Sequence, residues 1–211
     1  MLKAKRREHL VAEIEKHFPL QRHVREAFLA VDREAFVPPE FRHLAYHLDA
    51  LPLGASQWIS SPLTVAKMTQ HLELKGVDKV LEIGCGSGYQ AAILSKIARR
   101  VFTVERIDAL LKEAKRRFTE QELHNIFTRF DDGSRGWRQY APFERILLSA
   151  APKEVPQALF DQLAEGGILL APVEVTPGHH IITRYYKKEG RITSENIESC
   201  LFVPMVEGTQ K

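Results

Sequence analysis

Apolar residues near the start of the chain recur at helical spacing, first Leu10, Val11, Ile14 and Phe18, then Val24, Phe28 and Leu29. This predicts two short helices broken near Pro19. An irregular but apolar stretch follows, in which Phe36, Val37, Pro38, Pro39, Pro52, Gly54 and Pro62 exclude any continuous element while the interspersed Leu, Trp and Ile side chains imply packing. After Pro62 a helix is expected around Val65, Met68, His71 and Leu72, and then short β-rich runs alternate with longer helical ones. Strands are read at Lys79 to Ile83, Val101 to Val104, Ile126 to Phe130, Arg145 to Ser149 and Ile168 to Val173, with helices at Gln90 to Ile97, Ala109 to Phe118 and Val155 to Leu163. Alternation of this kind is the mark of a doubly wound, mostly parallel α/β sheet. Beyond Pro177 the helical pattern stops, and His180 to Lys187, Arg191, and Cys200 to Val203 read as antiparallel strands closing one edge.

The composition agrees with one globular unit: 44% of the 211 residues are hydrophobic and 27% charged. It divides into helices and a loop over 1–62, an α/β core over 63–176 and closing strands over 177–211. No apolar run approaches the about 20 residues of a membrane span, and the basic opening leads into an amphipathic segment, so a cytoplasmic chain without a membrane partner is expected. Cys85 and Cys200 are the only cysteines, too few for a disulfide framework. The net charge of +3 sits largely in Lys3, Lys5, Arg6 and Arg7 and in the run Lys112 to Arg117, which read as solvated helix faces rather than a nucleic-acid surface. His179 and His180 are adjacent, but no metal-binding spacing accompanies them.

The candidate chemistry lies at Val80-Leu81-Glu82-Ile83-Gly84-Cys85-Gly86-Ser87-Gly88-Tyr89, a buried strand running into a glycine turn and then a helix. In a parallel sheet, ligands bind beyond the carboxyl ends of the strands, where this turn falls. A dinucleotide fingerprint, G-x-G-x-x-G from Gly84, would need its last glycine where Tyr89 stands. Glu82 places an acid beside the turn, unsuited to a pyrophosphate and suited to the ammonium of a methionine moiety. Glu105 ends the next strand, where a carboxylate can accept both hydroxyls of a ribose, and Asp132 follows the third, where it can take an adenine amine while Gly133 leaves room for the ring. Each acid alone reads as a surface residue at a strand end. Three at the ends of consecutive strands favour a nucleoside carrying an amino acid, S-adenosylmethionine.

Several segments then resemble the protein-L-isoaspartate O-methyltransferases: Ala30 to Pro38, Ala45-Tyr46, Leu51 to Gly54 and Gln57-Trp58-Ile59-Ser60-Ser61-Pro62, followed by Glu82 to Ala92, Asp132-Gly133, Gly136, Ala141 to Phe143, Gln162 to Gly167 and Phe202-Val203-Pro204. The resemblance spans nearly the whole chain and implies a seven-stranded Rossmann-like methyltransferase sheet with an N-terminal helical extension. It implies methylation of the free α-carboxylate of isoaspartyl residues in damaged proteins or peptides. The resulting ester loses methanol to a succinimide, which can reopen as normal aspartate. The resemblance assigns the cofactor to Ser60, Glu82, Ile83, Gly84, Cys85, Gly86, Ser87, Gly88, Glu105, Arg106, Asp132 and Gly133, and the acceptor to Gln57, Trp58, Ile59 and Ser60, with Ser60 at the reacting centre. Ser60 has a simpler reading as a helix cap before Pro62. Trp58 departs from the threonine usual in that family, and could instead simply pack into its loop.

A carboxylate acceptor with an ordinary pKa of about 4 is ionised at neutral pH and needs no general base, so no catalytic dyad is sought. A nucleic-acid amino-methyltransferase is disfavoured, because the segment after the fourth strand, Ser149-Ala150-Ala151-Pro152, has neither the polar acceptor nor the aromatic side chain used to hold a flipped base. A non-catalytic binder, or an enzyme dedicated to one peptide, remains as the alternative. A monomer is expected, with no metal.

Overall fold

The computed structural model describes residues 2–211. Helices α1 (Leu2–Glu15) and α2 (Arg22–Ala30) are separated by the turn at Pro19, and they bury Leu10, Val11, Ile14, Val24 and Phe28, the residues whose spacing predicts them. The turn is held by Gln70, whose amide accepts the Gln21 N–H at 2.7 Å and donates to the Pro19 carbonyl at 3.1 Å. Short 3₁₀ turns and a small antiparallel hairpin, β1 (Leu51–Leu53) and β2 (Gln57–Ile59), make up the irregular stretch. Helix α3 (Pro62–His71) follows at once.

The main sheet contains β3 (Lys79–Ile83), β4 (Arg100–Glu105), β5 (Ile126–Phe130), β6 (Phe143–Leu148), β7 (Leu163–Thr176), β8 (His179–Lys188) and β9 (Arg191–Cys200). The spatial order is β5-β4-β3-β6-β7-β8-β9, parallel through β7 and antiparallel for the last two pairings. Helices α4 (Tyr89–Ser95), α5 (Asp108–Glu120) and α6 (Gln157–Gln162) make the crossovers. This is the Rossmann-like methyltransferase sheet with N-terminal helices and antiparallel closing strands. Strand residues alternate between two cores, as period-two geometry requires. Val80, Val101, Leu147 and Leu170 face the layer containing α1 to α5, whereas Leu81, Phe102, Ile146 and Leu169 face the layer containing α6 and the aromatic cluster of Trp137 and Phe143. The chain runs outward from β3 to β5 and returns to β6 on the other side of β3, so the end of β3 is the topological switch point.

Two expectations change here. Leu201 to Val203 do not continue a strand; β9 ends at Cys200 and the tail turns across the carboxyl ends of the strands. His180 explains part of that turn, since its Nδ1 accepts the Phe202 N–H at 3.2 Å. Nor is Lys112 to Arg117 wholly a solvated face. Arg117 is buried and donates to the Ser87 carbonyl at 3.0 Å, bracing the glycine turn from below.

Candidate active site

The turn after β3 needs its glycines for backbone reasons. Gly84, Gly86 and Gly88 all have positive φ (94°, 53° and 89°), a conformation side chains resist. Gly88 also forms the start of α4, where an added Cβ would lie 2.6 Å from the Phe118 ring. The Gly84 N–H donates to the Val104 carbonyl, the last bond of the β3–β4 seam, and the Gly88 N–H closes the turn on Cys85. Cys85 is buried, and burial pushes its thiol well above the usual range, leaving it inert.

Above this turn lies a cavity lined by Ile83, Gly84, Gly86, Glu105, Arg106 and Gly133, with Gln57 and Trp58 at one side. Glu105 is 5% exposed and its carboxylate accepts the Gly86 and Ile107 N–H groups at 2.8 and 2.9 Å. Each oxygen keeps acceptor capacity for a vicinal diol. Gly133 lies against the wall formed by Ile83, where a Cβ would come within 2.4 Å of Cγ2. Arg106 is the only cationic side chain among the lining residues, and its Nε is engaged by the Gly208 carbonyl at 3.0 Å, so the lining does not suit a pyrophosphate. An uncharged ring and a diol are the chemistry that these walls fit.

Two acids of the sequence reading stand elsewhere. Asp132 is outside the cavity lining; its oxygens accept the N–H groups of Ser134 at 2.9 Å and Gly208 at 2.8 Å. Burial opposes its charge, but these bonds outweigh burial and hold the carboxyl below its ordinary range. It anchors the tail through Gly208, next to Gly133 of the cavity wall. Glu82 is completely buried beneath the turn, where Thr103 donates to Oε2 at 2.6 Å and Oε1 has no partner. Burial pushes its pKa up to about 8, which favours the protonated form at neutral pH.

A second cavity opens between the turn and α3, lined by Ser60, Gly84, Gly86, Ser87, Tyr89 and Trp58 among others, and it continues into a wide groove past Trp58, Ser60, Leu201 and Phe202. Ser60 is not the helix cap. That role falls to Ser61, whose Oγ accepts the Thr64 N–H at 3.1 Å ahead of Pro62. The Ser60 hydroxyl is therefore left to the cavity. Trp58 does not pack into its loop either: it is 55% exposed and borders all three spaces. Ile59 is buried beneath it.

The tail completes the first cavity and was not legible as site material. Val203, Pro204, Met205 and Val206 form one wall, Ala151 exchanges backbone bonds with Val203 and Met205, and Asp108 and Arg106 pair with Gln210. The only sequence signal is Phe202-Val203-Pro204, which carries part of the family resemblance but gives no sign of a wall. Ser149 and Ala150, at the end of β6, also line the cavity and carry no distinctive pattern.

Among the described residues no helix is long and apolar enough to cross a membrane. The family model "Protein-L-isoaspartate(D-aspartate) O-methyltransferase (PCMT)" matches residues 5–210. A protein-L-isoaspartate O-methyltransferase of Helicobacter pylori strain P12 is 54% identical over 204 residues, covering 96% of this chain and 97% of its own. That of Pectobacterium carotovorum subsp. carotovorum strain PC1 is 44% identical, with 97% of both chains covered. Among solved structures, a protein-L-isoaspartate O-methyltransferase superposes with a TM-score of 0.85 at 26% identity over 94% of this chain, which spans 65% of that one. A Plasmodium falciparum protein, solved with S-adenosyl-L-homocysteine, gives 0.83 at 21% identity over 93% of this chain and 96% of its own, a likeness of fold. With the family model covering almost every residue and full-length relatives above half identity, the chain belongs to the protein-L-isoaspartate(D-aspartate) O-methyltransferase family.

Proposed function

We propose that this enzyme methylates the free α-carboxylate of L-isoaspartyl residues in damaged proteins and peptides, with Ser60 and Trp58 forming the acceptor side and the cavity above the glycine turn holding S-adenosylmethionine. The observation that carries the reading is the junction of the spaces: Trp58, Gly84, Gly86 and Ser149 border both the cavity of Glu105 and Gly133 and the cavity of Ser60. A donor in one and an acceptor in the other meet at the glycine turn. The bound cofactor supplies a sulfonium methyl group for in-line displacement.

Gly84 and Gly86 allow the backbone to approach the ligand, Glu105 takes the ribose hydroxyls, and Gly133 leaves space for the adenine. The acceptor carboxylate is ionised without help. What this chain contributes is alignment and exclusion of water: the Ser60 hydroxyl donates to one carboxylate oxygen, and the Trp58 indole covers the junction from solvent. Opposite charges cancel as the methyl moves, so a dry site favours transfer. The acceptor is an isoaspartyl segment of another protein, entering along the groove beside Leu201 and Phe202; the enzyme acts as a cytoplasmic monomer, binding neither nucleic acid nor membrane.

The test is methyl-ester formation on two peptides of one sequence, containing isoaspartate or aspartate, by wild type and Ser60→Ala. Ester is expected on the isoaspartyl peptide alone, with turnover reduced about tenfold or more in Ser60→Ala for loss of an anchoring bond to a charged group, and with cofactor affinity unchanged. Full activity in Ser60→Ala would remove Ser60 from the chemistry. Equal labelling of both peptides would overturn the acceptor assignment.

A further inference from the structure

Arg33 is among the most deeply buried large side chains of the protein, with no measurable exposure, and it forms no ion pair among the described residues. A guanidinium in that position loses its hydration and needs compensation. It finds this in carbonyl groups: Nη1 donates to Ala45 at 3.0 Å and to His47 at 3.3 Å, and Nη2 donates to Asp49 at 3.0 Å and to Ser60 at 3.2 Å. All four acceptors lie on the loop that ends in Ser60. The guanidinium carbon lies over the ring of Tyr89, 5.8 Å from its centroid, and Tyr89 is the first residue after the glycine turn and a wall of the Ser60 cavity. Tyr89 is itself fixed by Phe28 and Phe36, with ring centroids 6.3 and 5.8 Å away.

We propose that Arg33 is a positioning residue for methyl transfer, whose fork fixes the Ser60 loop at its distance from the glycine turn. The inference rests on the reading of Ser60 as the acceptor anchor. The physical case is one of geometry. The loop has little regular structure besides the β1–β2 hairpin, which is anchored by the buried Leu51, Leu53 and Ile59, and Arg33 is the group that ties its two ends, residues 45–49 and Ser60, to one point beside the glycine turn. One planar group with four engaged donors, pressed against Tyr89, defines that distance rigidly. A lysine, with donors radiating from one atom, cannot span carbonyls drawn from residues 45 to 60.

Arg33→Lys and Arg33→Met separate this role from simple support of the fold. The second removes the buried charge along with its desolvation, and the released carbonyls of His47 and Asp49 belong to exposed residues that water can reach. Amide hydrogen exchange across residues 45–61 is expected to accelerate in both variants, with β3 and α4 protected as in wild type. Well below each variant's melting temperature, kcat/KM for an isoaspartyl peptide should fall about tenfold or more, as misplacement by a fraction of an ångström requires, while the cofactor dissociation constant stays unchanged. Normal kcat/KM despite a loosened loop would overturn the proposal, as would cofactor affinity falling in parallel. Ser60→Ala measured alongside distinguishes the two ideas: its full activity would sink the Ser60 anchor, while loop exchange in the Arg33 variants still decides whether Arg33 positions the loop. Should neither variant fold, native-state exchange of the wild type in rising denaturant applies. The amides of 45–61 and of 33–36 should open together, and independent opening would overturn the proposal.

Discussion

Glu82 and Glu105 differ by one strand and have opposite situations. Glu105 lines the cavity and spends its charge on two N–H groups, whereas Glu82 is sealed below with its pKa raised to about 8. The consequence for stability has a definite sign. An unfolded glutamate titrates near the usual value of about 4.3, so the folded state holds its proton to higher pH than the unfolded one. The associated stability is full below the unfolded pKa and is lost progressively as pH rises to about 8. Melting temperatures measured between pH 5 and pH 8 should therefore decline in wild type relative to Glu82→Gln; parallel curves would show that Glu82 does not titrate there. At Glu105 the expectation concerns binding. Glu105→Ala should weaken S-adenosylmethionine about tenfold or more, through loss of charge-assisted bonds to the ribose, and an unchanged constant by calorimetry would remove it from the site. The sequence located both acids near strand ends but could not tell them apart, because both share the face of Val80 and Val101 and differ in depth: Glu82 sits opposite Thr103 inside the sheet, whereas Glu105 lies two residues farther on, at the very end of β4. Glu82 shares the face of Val80, toward the packed layer of helices, while Ile83 carries the other face to the cavity.

At the scale of elements, local pattern was a good guide wherever an element's boundary is set by its own residues. Lys79 to Ile83 and Ile126 to Phe130 are the observed β3 and β5, and α5 extends the expected Ala109 to Phe118 by a residue or two. The misreadings fall where a neighbour decides. Ser60 and Ser61 both precede Pro62, and only the geometry of the turn shows that Ser61 makes the cap. Arg117 stands in a run of charged residues, yet the Ser87 carbonyl draws it inward. The same dependence on neighbours governs Gly88, whose left-handed backbone lets α4 begin against Phe118. Gly88→Ala should lower stability by about 1–3 kcal/mol, from overpacking together with the strained φ. A thermal or denaturant midpoint equal to wild type would show that Phe118 moves aside freely.

For the whole molecule, the order of the sheet matters more than any single motif. The switch beside β3 leaves a crevice between β4 and β6, the N-terminal loop brings Ser60 and Trp58 to one side of it, and the tail closes the other. The crevice was foreseeable from alternating strands and helices. The closing wall was not, since Val203 to Val206 gain their meaning only from backbone bonds to Ala151 and from the grip of Asp132 on Gly208. Deleting residues 203–211 should weaken cofactor binding strongly while β3, β4 and α5 keep their protection from exchange, and retained affinity would reduce the tail to a passive cover.

That wall is built from residues that follow every strand of the sheet along the chain. A ribosome releases the strands and the glycine turn before Gly208 and Gln210 emerge, so a growing chain, or one cut after β9, carries most of the fold with an open-sided crevice. Donor capture should therefore report a docked tail: an enzyme that mends ageing proteins, cut between Cys200 and Gln210, would keep its sheet and glycine turn but lack the wall that Val203 to Val206 supply.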